Sequence, residues 1–296
     1  VLKMSKYSFN FKEKQIIKYR YFLIAIILII IALLMLLIFL VNVNHKEKEP
    51  DMVINEIAEI EEEKDDVMII DLDEERLKQQ EEEQNATGIV YLTFDDGPSA
   101  DSTPQILDIL KSKNIKATFF VLHYSEENEK LIKREQKEGH TIALHGYTHT
   151  YSELYQSADT CIENFRKIQN QVFETTGIKS NIIRFPGGSS NTISRKYAKG
   201  VMTELVQRVV DEGFKYYDWN VDSTDAARPK SSDVIYNNVI SGIKPDRNNV
   251  VLMHDFAGNN KTIAVLEDII NYGLENGYVF RKLTEEVPMV VHGVNN

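Results

Sequence analysis

From Gly88 onward, short β-rich runs alternate with segments of helical period, and three returns from helix to strand share one punctuation. Glu138-Gly139-His140, Glu212-Gly213-Phe214 and Asn276-Gly277-Tyr278 each place glycine where a helix C-terminus needs a left-handed residue, then a large ring entering the next strand. Strict β-α alternation restricts a chain to a parallel sheet covered by helices. The pattern predicts strands over residues 89–94, 117–122, 141–144, 181–184, 215–221, 250–253 and 278–283. It predicts helices over 104–113, 126–138, 158–176, 194–212, 231–243 and 263–276. The expected fold class is α/β, a distorted (β/α) barrel.

The N-terminal part reads differently. Residues 21–41, YFLIAIILIIIALLMLLIFLV, are uncharged and apolar, long enough at about 1.5 Å per residue to cross a bilayer's hydrocarbon core. The run is too long for a typical signal-peptide core, and no small-residue cleavage site follows it, so an uncleaved transmembrane helix is expected. Lys12, Lys14, Lys18 and Arg20 flank it on the N-terminal side, which keeps residues 1–20 in the cytoplasm and the rest of the chain outside, in a single-pass cell-membrane protein. Residues 42–87 read as an acidic stalk, because acidic residues outnumber basic ones more than threefold between Lys46 and Gln84. The expected catalytic domain then covers residues 88–290.

The stalk carries most of the formal charge of -11, and the domain has no Lys/Arg stripe, which argues against a nucleic-acid partner. Cys161 is the only cysteine, so no intrachain disulfide can form and stability must come from the core.

The unusual polar residues fall at the predicted C-terminal ends of strands: Asp95 and Asp96, His145, Arg184, Asp222 and His254. In a parallel β/α barrel that face assembles the active site. Two adjacent carboxylates repel unless a cation compensates them. His145 and His149, four apart, can face one way and, with an Asp from a neighbouring strand end, form a His-His-carboxylate metal site with open positions. Arg184 offers a fixed guanidinium ahead of the Gly187-Gly188 pair, whose backbone can approach a ligand closely. His254, behind an apolar strand, can donate a proton.

Thr93-Phe-Asp-Asp-Gly-Pro-Ser99, His145-Gly-Tyr-Thr-His149, Arg184-Phe-Pro-Gly-Gly188, Asp222-Ser-Thr-Asp225 and Leu252-Met-His254 resemble, in order, the five motifs of the polysaccharide deacetylase family, also called carbohydrate esterase family 4 or the NodB-homology domain. The resemblance implies that Asp96, His145 and His149 hold one divalent metal, zinc first, with cobalt, manganese and nickel compatible with the same ligands. It implies Asp95 as the base that deprotonates a water, Arg184 as its charge partner, and the Gly187 N–H as an oxyanion donor. It further implies His254 as the acid for the departing amine, with Asp222 stabilising its imidazolium form. Tyr147, Phe185, Trp219 and Leu252 are the expected lining of the substrate groove.

Two positions depart from the family pattern. Gly146 stands where Ser or Thr is usual, which takes a side chain but no ligand from the loop. Ala226 stands where Trp is usual, and Trp219 is the candidate to fill that groove wall. The implied activity is N-deacetylation of a cell-envelope polysaccharide, with peptidoglycan N-acetylglucosamine as first substrate. The alternatives are an O-acetyl esterase acting on xylan-type polymers and a catalytically silent protein that binds or tethers to wall glycan.

Overall fold

Alternation along each strand decides which side chains meet the helices. On the strand Asn248–His254, Val251 and Met253 join the large outer cluster beneath the helices, while Val250 joins a smaller cluster inside the curl with Tyr91, Phe120, Ala143, Ile182, Tyr217 and Leu283. Residues two apart share a face of a strand, so His254 faces the same side as Val250, at the strand's C-terminal end.

The computed structural model describes residues 29–30, 33–36, 76–227 and 231–295. Most of the expected transmembrane run and stalk lies outside the described residues. Among those described, no helix is long and apolar enough to cross a membrane. A helix over residues 76–85 leads into the first strand, and Arg281 binds Glu82 and Glu83 of its last turn.

The strands are β1 (Gly88–Asp95), β2 (Thr118–Val121), β3 (Thr141–Leu144), β4 (Ile182–Ile183), β5 (Lys215–Tyr216), β6 (Val221–Asp222), β7 (Asn248–His254) and β8 (Tyr278–Phe280). The α-helices that follow β1 are α1 (Ser102–Ser112), α2 (Glu129–Lys137), α3 (Tyr151–Leu154), α4 (Ala158–Thr176), α5 (Val201–Asp211), α6 (Ser232–Gly242) and α7 (Asn260–Glu275). All strand pairs are parallel, in the order β5-β4-β3-β2-β1-β7-β6. One edge of β1 is shared: Gly88–Val90 pair with β8, and Thr93–Asp95 pair with β2.

The three glycine returns adopt the expected left-handed backbone, with φ of 83° at Gly139, 87° at Gly213 and 77° at Gly277. Gly200, at φ 79°, divides the predicted helix 194–212 into a 3-10 turn, Ser194–Lys196, and α5.

The predicted strand 215–221 is two strands on opposite edges of the sheet, β5 beside β4 and β6 beside β7. Between them the carbonyls of Tyr217 and Asp218 accept from the Arg184 guanidinium, Nε at 2.9 Å and Nη2 at 3.0 Å, instead of from a neighbouring strand. Five residue steps, from Tyr216 to Val221, span at most about 18 Å. The two edges of the sheet are therefore close, and the sheet curls into an open, distorted barrel.

Candidate active site

At the C-terminal ends of β1 and β3, three predicted ligands converge. Asp96 Oδ1 lies 3.6 Å from His145 Nε2 and 3.7 Å from His149 Nε2, and the three ligand atoms all lie within 4.8 Å of one another. Metal bonds of about 2.0–2.2 Å in a tetrahedral site put ligand atoms about 3.3–3.6 Å apart. Asp96 Oδ1 is buried and has no hydrogen-bond partner among the described residues, as expected of an atom reserved for a cation. These three residues fit a divalent metal.

Local backbone makes the convergence possible. Asp96 has φ 74°, a left-handed conformation that Asp and Asn tolerate better than other side chains. The chain therefore turns sharply between Asp95 and Asp96, and the adjacent carboxylates serve different partners. Glycine is required next: a Cβ on Gly97 would stand 2.5 Å from Asp255 Oδ2. His145 is buried at the end of β3, and its Nδ1, 2.9 Å from the Arg184 carbonyl, donates there, which leaves the Nε2 lone pair for the metal. Burial lowers the His145 pKa despite the nearby charges of Asp95 and Asp96, so the ring is neutral.

Asp95 is a buried carboxylate with an equally buried partner. Arg184 Nη1 donates to Asp95 Oδ1 at 2.7 Å and to Thr93 Oγ1 at 2.8 Å, and the guanidinium carbon sits 4.1 Å from the centre of the Phe120 ring. With Nε and Nη2 on backbone carbonyls, the guanidinium is fixed from several directions. Asp95 Oδ2, not bonded to the arginine, faces the ligand cluster, 3.7 Å from His145 Nε2.

His254 lies across the β1·β7 ladder, in register with Asp95. Here the sequence expectation needs correction. Asp222 does not reach His254: its side chain is exposed and its Oδ1 accepts from the Thr224 N–H at 2.7 Å, closing a local turn. The partner is Asp225, the last residue of the same motif, whose Oδ1 is 2.7 Å from His254 Nδ1. Its Oδ2 accepts from the His254 N–H, Asn259 Nδ2 and Thr262 Oγ1, at 2.9, 2.8 and 2.9 Å. Burial alone would raise the Asp225 pKa, but these hydrogen bonds outweigh it and hold the group ionised. Burial likewise works against a charge on His254, but the bond to Asp225 and that charge raise its pKa to about 9.

The expected groove lining divides. Phe185 is a second correction: it is fully buried beneath the helices, against Phe165 and Tyr216, and no sugar can reach it. The strand geometry explains this, since Phe185 follows Arg184 and faces the opposite side. Leu252 is 6% exposed on the inner face one layer below His254 and forms floor more than wall. Tyr147 is exposed at the rim, stacked on His123 at 4.3 Å. Trp219 is part-exposed, its ring tip 3.0 Å from the position a Cβ on Gly188 would take, and it packs edge-on against His292. Gly187 has φ 79° and its N–H makes no hydrogen bond among the described residues, so this donor is uncommitted.

Several supporting residues escaped the sequence reading. Asn164 Oδ1 accepts from the Tyr147 N–H at 2.6 Å and would lie 2.9 Å from a Cβ on Gly146. An asparagine of α4 thus supports the ligand loop, and residue 146 has no room for a side chain. Asp255 is fully buried, accepts from Thr103 Oγ1 and packs on Gly97; burial raises its pKa to about 8, against the effect of the Thr103 bond. A Ser or Thr pattern in α1 and an Asn in α4 carry no sequence signal that ties them to motifs so far away.

Comparison with known proteins agrees with this geometry. The family described as polysaccharide deacetylase matches residues 82–206. A peptidoglycan-N-acetylglucosamine deacetylase of Bacillus cereus is 33% identical over 208 residues, covering 67% of this chain and 70% of that protein. The crystal structure of the catalytic domain of peptidoglycan N-acetylglucosamine deacetylase from Eubacterium rectale superposes with a TM-score of 0.67 at 43% identity, over 70% of this chain and 94% of that one. A polysaccharide deacetylase from Bacillus cereus gives a TM-score of 0.60 at 32% identity, over 69% of this chain and 95% of that one.

Proposed function

This chain belongs to the polysaccharide deacetylase family of hydrolases, and from that premise we propose that it removes the N-acetyl group of peptidoglycan N-acetylglucosamine in a metal-dependent reaction. The observation that carries the reading is the placement of a base and an acid beside one ligand triad. Asp95 is held by Arg184, and His254 by Asp225, on paired strands next to Asp96, His145 and His149.

Asp96, His145 and His149 would hold a divalent ion, zinc by preference, which would supply Lewis acidity toward the acetamide carbonyl and a lowered pKa for a water. Asp95 takes a proton from the attacking water through Oδ2, since Oδ1 is engaged by Arg184. As the new C–O bond forms, the uncommitted Gly187 N–H is the donor offered to the carbonyl oxygen. His254, protonated at neutral pH, gives its Nε2 proton to the sugar nitrogen as the C–N bond breaks. Acetate leaves, and a free amine remains on the glycan.

The names of the relatives favour peptidoglycan. The apolar run of residues 21–41 favours a membrane anchor with the catalytic domain outside the cell, where an acidic tether gives it reach to wall polymer. Acetate release is to be compared between N-acetylglucosamine oligomers or purified peptidoglycan and O-acetylated xylan. Release from the N-acetyl substrates is expected; release confined to xylan would replace the proposal with an O-acetyl esterase.

A further inference from the structure

Beside the triad stands a side chain whose polar atom has no hydrogen-bond partner among the described residues. Tyr151 opens the short helix α3, two residues after His149, and its half-buried ring lies edge-on to the His149 ring with centroids 5.5 Å apart. Its other neighbour is Tyr155, at 5.6 Å, whose own hydroxyl donates to the Pro186 carbonyl at 2.8 Å. The Tyr151 hydroxyl, in contrast, makes no hydrogen bond among the described residues. Yet it occupies a defined place: it lies 2.5 Å from the position that a Cβ on Gly187 would take.

Two facts about Gly187 give that place chemical meaning. Its backbone is left-handed, at φ 79°, and its N–H is not bonded among the described residues. The absence of a side chain there admits the tyrosine hydroxyl, which comes from the helix behind the metal ligands. Two uncommitted donors, one backbone and one side-chain, therefore sit side by side next to the ligand cluster. A part-buried hydroxyl with no protein acceptor is in place for an acceptor that arrives with substrate. Preorganised donors of this kind act on the negative charge that develops on a carbonyl oxygen during attack.

We propose that Tyr151 is a catalytic residue whose Oη–H donates, beside the Gly187 N–H, to the oxyanion of the tetrahedral intermediate. This role rests on the deacetylase reading above. No covalent change occurs at the tyrosine: the hydroxyl keeps its proton, and the hydrogen bond shortens as the carbonyl oxygen gains charge. The left-handed glycine and the tyrosine form one unit, since any side chain at residue 187 would drive the ring away from the ligands.

The test is Tyr151→Phe in the full chain, with acetate release from N-acetylglucosamine oligomers measured beside the wild type and zinc affinity measured by titration of the metal-free protein. The expected result is a fall in kcat of about 10²- to 10³-fold, the cost of one oxyanion donor, with KM and zinc affinity within about twofold of wild type. An unchanged kcat overturns the proposal, and so does a loss of zinc affinity in proportion to the loss of activity, which would make the ring a support for His149. Wild-type protein that binds zinc but releases no acetate overturns the deacetylase reading and this role with it. An active wild type with an equally active variant overturns this role alone.

Discussion

His145 and His254 occupy equivalent places, each at the C-terminal end of a parallel strand with Nδ1 bound by the protein, yet their electrostatics are opposite. His145 Nδ1 donates to a backbone carbonyl, at 2.9 Å, which fixes the Nδ1–H tautomer, and burial lowers the pKa of the ring. His254 Nδ1 meets the Asp225 carboxylate at 2.7 Å, which favours the cation. Burial pushes both pKa values down, and only the histidine with a carboxylate partner ends up raised. The group behind each histidine, not the histidine itself, sets its charge.

The largest effect is expected on the base that lies between these two regions. Asp95→Asn keeps the shape but removes the proton acceptor, and kcat should fall about 10³-fold or more, within the range for general base catalysis. Zinc affinity should stay within about twofold, because Asp95 lies outside the proposed ligand set; near-wild-type turnover by the zinc-loaded variant would remove Asp95 from the mechanism.

Arg184→Met breaks the buried 2.7 Å pair between Arg184 Nη1 and Asp95 Oδ1. It leaves a carboxylate buried without its cation, and urea unfolding should show a loss of about 3–5 kcal/mol. A loss below about 1 kcal/mol would mean that the pair is solvated.

Asp225→Asn converts the acid region toward the environment of His145. His254 has a pKa raised to about 9 in the folded protein against about 6.5 unfolded, so its contribution to stability is complete below about 6.5 and is lost as pH rises through about 9. The alkaline limb of kcat/KM should lie near the same value in the wild type and move down toward about 6.5 in the variant. A limb that does not move would exclude His254 as the acid.

The smallest effect is expected at Asp222→Asn, where only a local turn is capped, and kcat/KM should stay within about twofold. A loss matching that of Asp225→Asn would return the acid-pairing role to Asp222.

The legible part of this molecule is what depends on period and punctuation. β3 and α4 fall on their predicted residues, and the three glycine returns are left-handed as expected, because strand alternation and helix capping are local. The ligand triad was legible too, since the motifs lie at strand ends and a parallel sheet brings those ends together. What the sequence did not reveal depends on long-range partners. Residues 215–221 read as one strand, but the Arg184 guanidinium takes two of its carbonyls and splits it. Asp222 and Asp225 are indistinguishable as motif members; the 3-10 turn at Asp225–Ala227 and the donors of Asn259 and Thr262 select the second. Phe185 looked like a groove residue by proximity to Arg184, and strand alternation places it on the other face.

Metal-dependent hydrolysis of N-acetyl groups is tested by acetate release from purified peptidoglycan by the full chain, before and after chelation and again after zinc is restored. Release that chelator abolishes and zinc recovers is expected. Release that persists in metal-free protein, or no release from zinc-loaded protein, would contradict it.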